Sequence, residues 1–220
     1  MSSIKNILGT KLKRAEIYEY LTEKLKDAGF GGVDIFFTPM GTRVTIYAMR
    51  PGRVIGPRGK TIKEITEELE KRFGVENPNV TVAEIEIPEL NPHVMAQRIA
   101  QALQRGVRHR RVAFWALKRI MDAGARGVEI EISGKLTSAR HRTEKFSAGI
   151  MPKSGDYAMK YVKVGRATVL LKSGIFGVKV KIYPRDAPTP EEVKIKLPEN
   201  LPEKLEAVEG SESGGGSEGS

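Results

Sequence analysis

Residues 54–65 read VIGPRGKTIKEI, and the fold turns on how this stretch is read. Gly59, Lys60 and Thr61 end it like a phosphate loop, G-x-x-x-x-G-K-[ST], in which backbone amides wrap nucleotide phosphates and the lysine clamps their charge. The spacing excludes that loop. It needs glycine where the chain has Val54; Gly52 falls two residues too early, Gly56 two too late, and no apolar strand ending in aspartate follows to hold a magnesium ion. A G-x-x-G turn fits instead. Gly56 and Gly59 let the chain turn tightly and bring backbone amides close to a nucleic-acid backbone, with Pro57 and Arg58 between them and the positive end of the next helix behind. Val54 and Ile55 before the turn, and Ile62 and Ile65 after it, would line an apolar groove for unstacked bases, while Arg58, Lys60 and Lys63 supply charge. The plain alternative is a turn between two core-forming helices.

Working outward, Leu12, Ala15, Tyr18, Leu21, Leu25 and Ala28 recur every three or four residues and Gly29 stops them, which predicts a helix over 11–28. Val33, Ile35 and Phe37, then Val44, Ile46 and Ala48, alternate on either side of a turn at Pro39 to Gly41 and predict a hairpin. Ile62, Ile65 and Leu69 predict a helix over 60–73. Val80, Val82, Ile85 and Ile87 give a third strand. Pro88 and Pro92 mark a boundary, beyond which 93–104 and 107–123 read as helices, the second burying Val112, Trp115 and Ile120. Val128, Ile130 and Ile132 predict a strand, as do Phe146 to Met151 and Tyr157 to Lys163; Val164, Ala167, Thr168 and Leu171 have helical spacing, and Val178, Val180 and Ile182 form a last strand.

The charge is uneven. The chain carries +10, yet from Asp186 onward nine acidic residues face three basic ones, so the tail holds −6 and residues 1–185 hold +16. A body that basic is built to meet a polyanion, nucleic acid or an anionic membrane surface. Between Glu89 and Asp122 there is no acidic residue, while Arg98, Arg105, Arg108, Arg110, Arg111, Lys118 and Arg119 all fall there. Prolines at 188, 190, 198 and 202, followed by EGSESGGGSEGS, predict a disordered acidic tail over 186–220. No apolar run is long enough to span a bilayer, and the start lacks a signal-peptide segment, so a soluble, unexported protein is expected.

Arg108, Arg110 and Arg111 have no carboxylate within ten residues on either side, so the cluster repels itself unless an anion neutralises it. Lys135, Arg140, Arg142 and Lys145 form a second basic group, suited to holding phosphates. With no cysteine and only His93, His109 and His141, none at ligand spacing, no metal site and no cofactor are expected. Glu129 and Glu131 share a strand face and could serve a nuclease or lyase, but opposite-charge neighbours on a sheet account for them as well. Trp115 reads as core rather than as a stacking surface.

The pattern V-I-G-x-x-G-x-x-I-K-x-I over 54–65 resembles the KH family, and a helix and two strands ahead of it with one strand after it resemble the prokaryotic, type II arrangement. The stretch GVRHRRVAFWALKRIMDAGARGVEIEISGKL (106–136), with KSGDY (153–157) and SGIFGVKVKIY (173–183), resembles the archaeal and eukaryotic branch of universal small-subunit ribosomal protein three, and the resemblance covers about residues 1–185. It implies an α+β fold: a type II KH domain over 1–90, a second small α/β domain over 91–185 and the tail beyond. It also implies a structural, non-enzymatic role in the cytoplasm, on the ribosome. Expected partners are small-subunit ribosomal RNA, neighbouring head proteins and messenger RNA, with no membrane and no homo-oligomer. Arg110 and Arg111 inherit by direct match the family's place at the messenger entrance, joined here by Arg108 and Lys118. Bacterial members add a lysine one turn further along, where this chain has Phe114. A free-standing KH regulator of transcripts is the other non-enzymatic reading.

Overall fold

The computed structural model describes residues 3–38 and 41–189. Helix α1 (Ser3–Lys24) starts eight residues before the span its spacing predicts, and a 3-10 turn (Lys26–Ala28) finishes it at Gly29, whose φ of 71° only glycine adopts readily. Its second half meets the core through Ile17 and Leu21; Leu12 and Ala15, assigned to the apolar stripe from spacing, are exposed. Strand β1 (Phe30–Thr38) runs antiparallel to β2 (Gly41–Ala48), with Val33 opposite Ile46 and Ile35 opposite Val44. The turn expected at Pro39 lies, but for Gly41, outside the described residues.

Strand β3 (Pro78–Glu84) lies parallel to β2, so the chain must cross over between them. The crossover is a short helix α2 (Pro51–Ile55), the G-x-x-G turn, and α3 (Lys60–Phe73), the span its spacing predicts. Ile65 and Leu69 of α3 pack with Val54, Ile17, Leu21, Phe30, Val44 and Ile46 into one hydrophobic cluster. Ile85 and Ile87 fall beyond the strand assigned to them.

Helix α4 (Pro92–Gln104) opens on Pro92, with the Asn91 side chain accepting from the amides of His93 (3.0 Å) and Val94 (3.4 Å), a cap that satisfies two otherwise orphaned donors. Helix α5 (His109–Asp122) follows. Both lie on one face of an antiparallel sheet ordered β5-β4-β7-β6, made of β4 (Gly127–Gly134), β5 (Arg142–Gly149), β6 (Lys163–Leu171) and β7 (Gly174–Tyr183). The second cluster gathers Met95, Ile99, Val112, Ala113, Ala116 and Ile120 over Val128, Ile130, Ile132, Val178, Val180 and Ile182.

Two elements exchange their expected types. Residues 157–163, read as a strand, form most of α6 (Gly155–Tyr161), and 164–171, read as a helix, form β6. In β6 the residues that meet the core are Gly165, Ala167 and Val169, opposite Val180, Val178 and Phe176. Val164 and Leu170 stay exposed on the other face of β6, and apolar residues on both faces imitate helical spacing.

The described residues through Ala187 form one compact unit. The Tyr18 hydroxyl lies 3.2 Å from Nε2 of His93, Asn91 Nδ2 donates to the Gly31 carbonyl at 3.0 Å, and Arg98 reaches Sδ of Met49 at 3.2 Å, which fastens the two lobes. Beyond residues 186–189 the expected tail lies outside the described residues.

Candidate nucleic-acid interface

The G-x-x-G turn is built by backbone constraint. Gly56 has φ 71° and ψ 177°, Arg58 φ 54°, and Gly59 φ 73°. A Cβ at Gly56 would overlap the Thr61 hydroxyl, so both dihedral and space require glycine there. At Gly59 only the dihedral does. Arg58 is held in the left-handed region, and its side chain, with those of Lys60 and Lys63, is exposed. No side chain caps the start of α3, which leaves its leading amides beside three cations. The apolar groove is smaller than the spacing suggests. Val54 and Ile65 are wholly buried in the cluster beneath, and Ile55 and Ile62 alone remain accessible.

On α5 the determinants are side chains and their partners. Arg110 donates through Nε and Nη2 to both carboxylate oxygens of Glu144, each at 3.2 Å, and Nε2 of His109 lies 3.1 Å from the same carboxylate. The hydrogen bond from Arg110 holds the Glu144 carboxyl below its ordinary range and raises the guanidinium in turn. Glu89 likewise receives Arg98 (3.1 Å) and Arg119 (3.2 Å). The cluster is therefore partly neutralised: Glu144 pairs with Arg110, and Glu89 with Arg98 and Arg119. Among the described residues the side chains of Arg105, Arg108, Arg111 and Lys118 have no such partner, and all four are exposed.

A shallow cleft of about 460 Å³ brings Arg108, His109 and Arg110 together with Lys135 from the β4–β5 loop. Arg140 lies exposed in that loop and Arg142 begins β5. Lys145 is apart from them. Strand alternation turns Glu144 toward α5 and Lys145 to the opposite face, 3.9 Å from Glu131. Glu129 accepts from Lys181 at 2.7 Å, a bond that keeps its carboxyl below the usual range. Both acids thus face basic side chains on neighbouring strands, as sheet-surface pairs do.

Trp115 is not core. It is 45% exposed and Phe114 60%, while the buried stripe of α5 is Val112, Ala113, Ala116 and Ile120. The alanines were the legible signal, because a helix resting closely on a sheet through Ala113 and Ala116 turns its bulky neighbours outward. Glu144 had a weaker one: it is the sole acid between Glu131 and Asp156, and it alternates with inward Phe146.

A three-stranded sheet with a parallel third strand, crossed over through α2, a glycine turn and α3, defines a KH-type RNA-binding module joined to a second α/β lobe. Residues 16–90 match the family described as KH domain, and residues 99–182 that described as Ribosomal protein S3, C-terminal domain. Small ribosomal subunit protein uS3 of Methanosphaera stadtmanae is 48% identical over 195 residues, 89% of this chain and 77% of its own length. Its namesake from Methanothermobacter thermautotrophicus is 52% identical over 180 residues (82% and 70%), and that of Archaeoglobus fulgidus 50% over 186 (84% and 81%). The chain belongs to the uS3 family, whose members are structural ribosomal proteins and not enzymes.

Proposed function

We propose that this chain is a structural component of the small ribosomal subunit, binding ribosomal RNA in the subunit head and presenting α5 to messenger RNA where the message enters. Membership of the uS3 family supports the ribosomal role. The observation that carries the messenger reading is the set of exposed, unpartnered cations Arg108, Arg111 and Lys118 on one helix, with Arg110 fixed beside them by Glu144. Such a surface grips phosphates without regard to sequence, and each contact releases counterions, so binding weakens steeply with salt. Lys135, Arg140 and Arg142 extend it at the β4–β5 loop, and Lys145 on the far face of the sheet serves a separate ribosomal RNA contact. In the other lobe the Gly56–Gly59 loop, with Arg58, Lys60 and Lys63, offers amides and charge to an RNA backbone. The chain works as a single copy among neighbouring head proteins.

Sedimentation of a cell lysate tests this. At low salt the protein should travel with small subunits and leave them only at high salt; a protein that stayed at the top of the gradient would refute the ribosomal role.

A further inference from the structure

We propose that the solvent face of α5 is a stacking platform for unpaired RNA bases, with Phe114 and Trp115 as the stacking surfaces and Arg111 and Lys118 as the phosphate contacts between them. This deepens, and rests on, the reading of α5 as a messenger-facing helix. At 3.6 residues per turn, Phe114, Lys118, Arg111 and Trp115 fall in that order within an arc of about 100°, opposite the buried stripe of Val112, Ala113, Ala116 and Ile120. Two large aromatic side chains, 60% and 45% exposed, thus flank a line of two cations. The one acid on that line is Asp122, a turn beyond Lys118 at the end of the helix.

Both rings are held in place by the protein itself. Phe114 meets Phe146 edge-on, with centroids 5.4 Å apart. The Arg119 guanidinium lies 5.6 Å from the centre of the Trp115 ring, and Arg119 is in turn tied to Glu89. Rings ordered in advance lose little freedom when a ligand arrives, which favours binding. The occupant follows from what the face combines. A ligand offering only phosphates has no use for exposed rings, and a duplex keeps its bases stacked inside. An apolar protein segment would leave Arg111 and Lys118 buried without carboxylates, which is costly. Single-stranded RNA satisfies both sets, phosphates on the cations and base faces on the rings.

Trp115 is the chain's only tryptophan, so tryptophan emission, excited where the tyrosines do not absorb, reads this platform alone. The full chain is titrated with an unstructured oligouridylate and with an abasic strand of equal length and charge. Oligouridylate is expected to quench Trp115; the abasic strand binds without quenching, about tenfold or more weakly, as the loss of base stacking predicts. Phe114→Ala should weaken oligouridylate about fivefold or more while the salt slope stays unchanged, and Phe114→Tyr should restore affinity, separating stacking from a folding defect. If saturating oligouridylate left Trp115 unquenched while Arg111→Ala still lowered the salt slope, the helix would grip phosphates without stacking, and the platform would fall with the messenger reading intact. If neither Arg111→Ala nor Lys118→Ala changed affinity or slope, the messenger reading itself would fall. An acidic peptide that quenched Trp115 and displaced the oligomer would mark the face as a protein contact and overturn the proposal.

Discussion

On the proposed reading, the G-x-x-G loop and helix α5 meet the same kind of ligand by different means. At the loop the determinant is backbone: Gly56 and Gly59 hold positive φ, Thr61 closes the space beside Gly56, and the exposed Arg58 is carried by a left-handed residue. On α5 the backbone is an ordinary helix, and the determinant is which cations find carboxylates: Arg110 and Arg119 do, while Arg108 at its N-cap, Arg111 and Lys118 do not. A site made of backbone is fragile to single substitutions. One made of side chains tolerates substitution and changes its affinity instead.

The largest effects should come from the cores beneath the two sites. Ile65→Ala under the loop and Ile130→Ala under α5, both wholly buried, should each destabilise by about 2–5 kcal/mol in urea unfolding. Because Tyr18, Asn91 and Arg98 fasten the lobes, Trp115 fluorescence and far-UV circular dichroism should report one shared transition for both variants. Separate transitions would break the picture of a single unit. Next comes the loop itself: Gly56→Ala should lose about 2 kcal/mol and Gly59→Ala about 1, since only the first adds a clash to the dihedral strain. Arg111→Ala, by contrast, should leave stability within about 0.5 kcal/mol and lower the RNA salt slope by about 1. Equal losses of stability at Gly56 and Arg111 would erase the distinction drawn here.

Smaller effects follow from titration. Burial holds the His93 imidazole below its ordinary value, so the unfolded chain takes up that proton at a higher pH than the folded one. Its contribution is complete above the unfolded value of about 6.5 and is lost as pH falls toward the folded value, so stability should decline from pH 7 to 5. His93→Gln should flatten that decline. The Glu144 carboxyl, held low chiefly by Arg110, adds stability that is lost only in more acid solution, below the ordinary glutamate value. At neutral pH, Glu144→Gln frees Arg110 from its counter-charge and should tighten RNA binding by about two- to threefold at low salt. Weaker binding would mean that the orientation Glu144 imposes matters more than the charge it removes.

How much was legible follows the same division. The loop could be read because everything that makes it lies within twelve residues, and a parallel crossover with α3 in its predicted span follows from that reading. On α5 the cations could be read and their fate could not, because Glu144 and Glu89 reach the helix only through the packing of β5 and of the 3-10 turn (Pro88–Leu90) ahead of α4. Trp115 was misplaced because helical spacing alone does not say which arc meets the sheet; Ala113 and Ala116 do. The exchange of α6 and β6 has a similar origin. Strand β6 carries apolar residues on both faces, and Tyr157 with Tyr161, one turn apart and beside the Asp156–Lys160 pair, was a helical signal read as a strand.

The most direct test of the account is the double variant Arg110→Ala/Arg111→Ala in assembled small subunits. It should enter the particle as the parent does, translate unstructured messages normally and lose rate on messages whose coding region forms stable helices. If the double variant failed to assemble, these arginines would be ribosomal RNA anchors and the messenger-facing role of α5 would be contradicted.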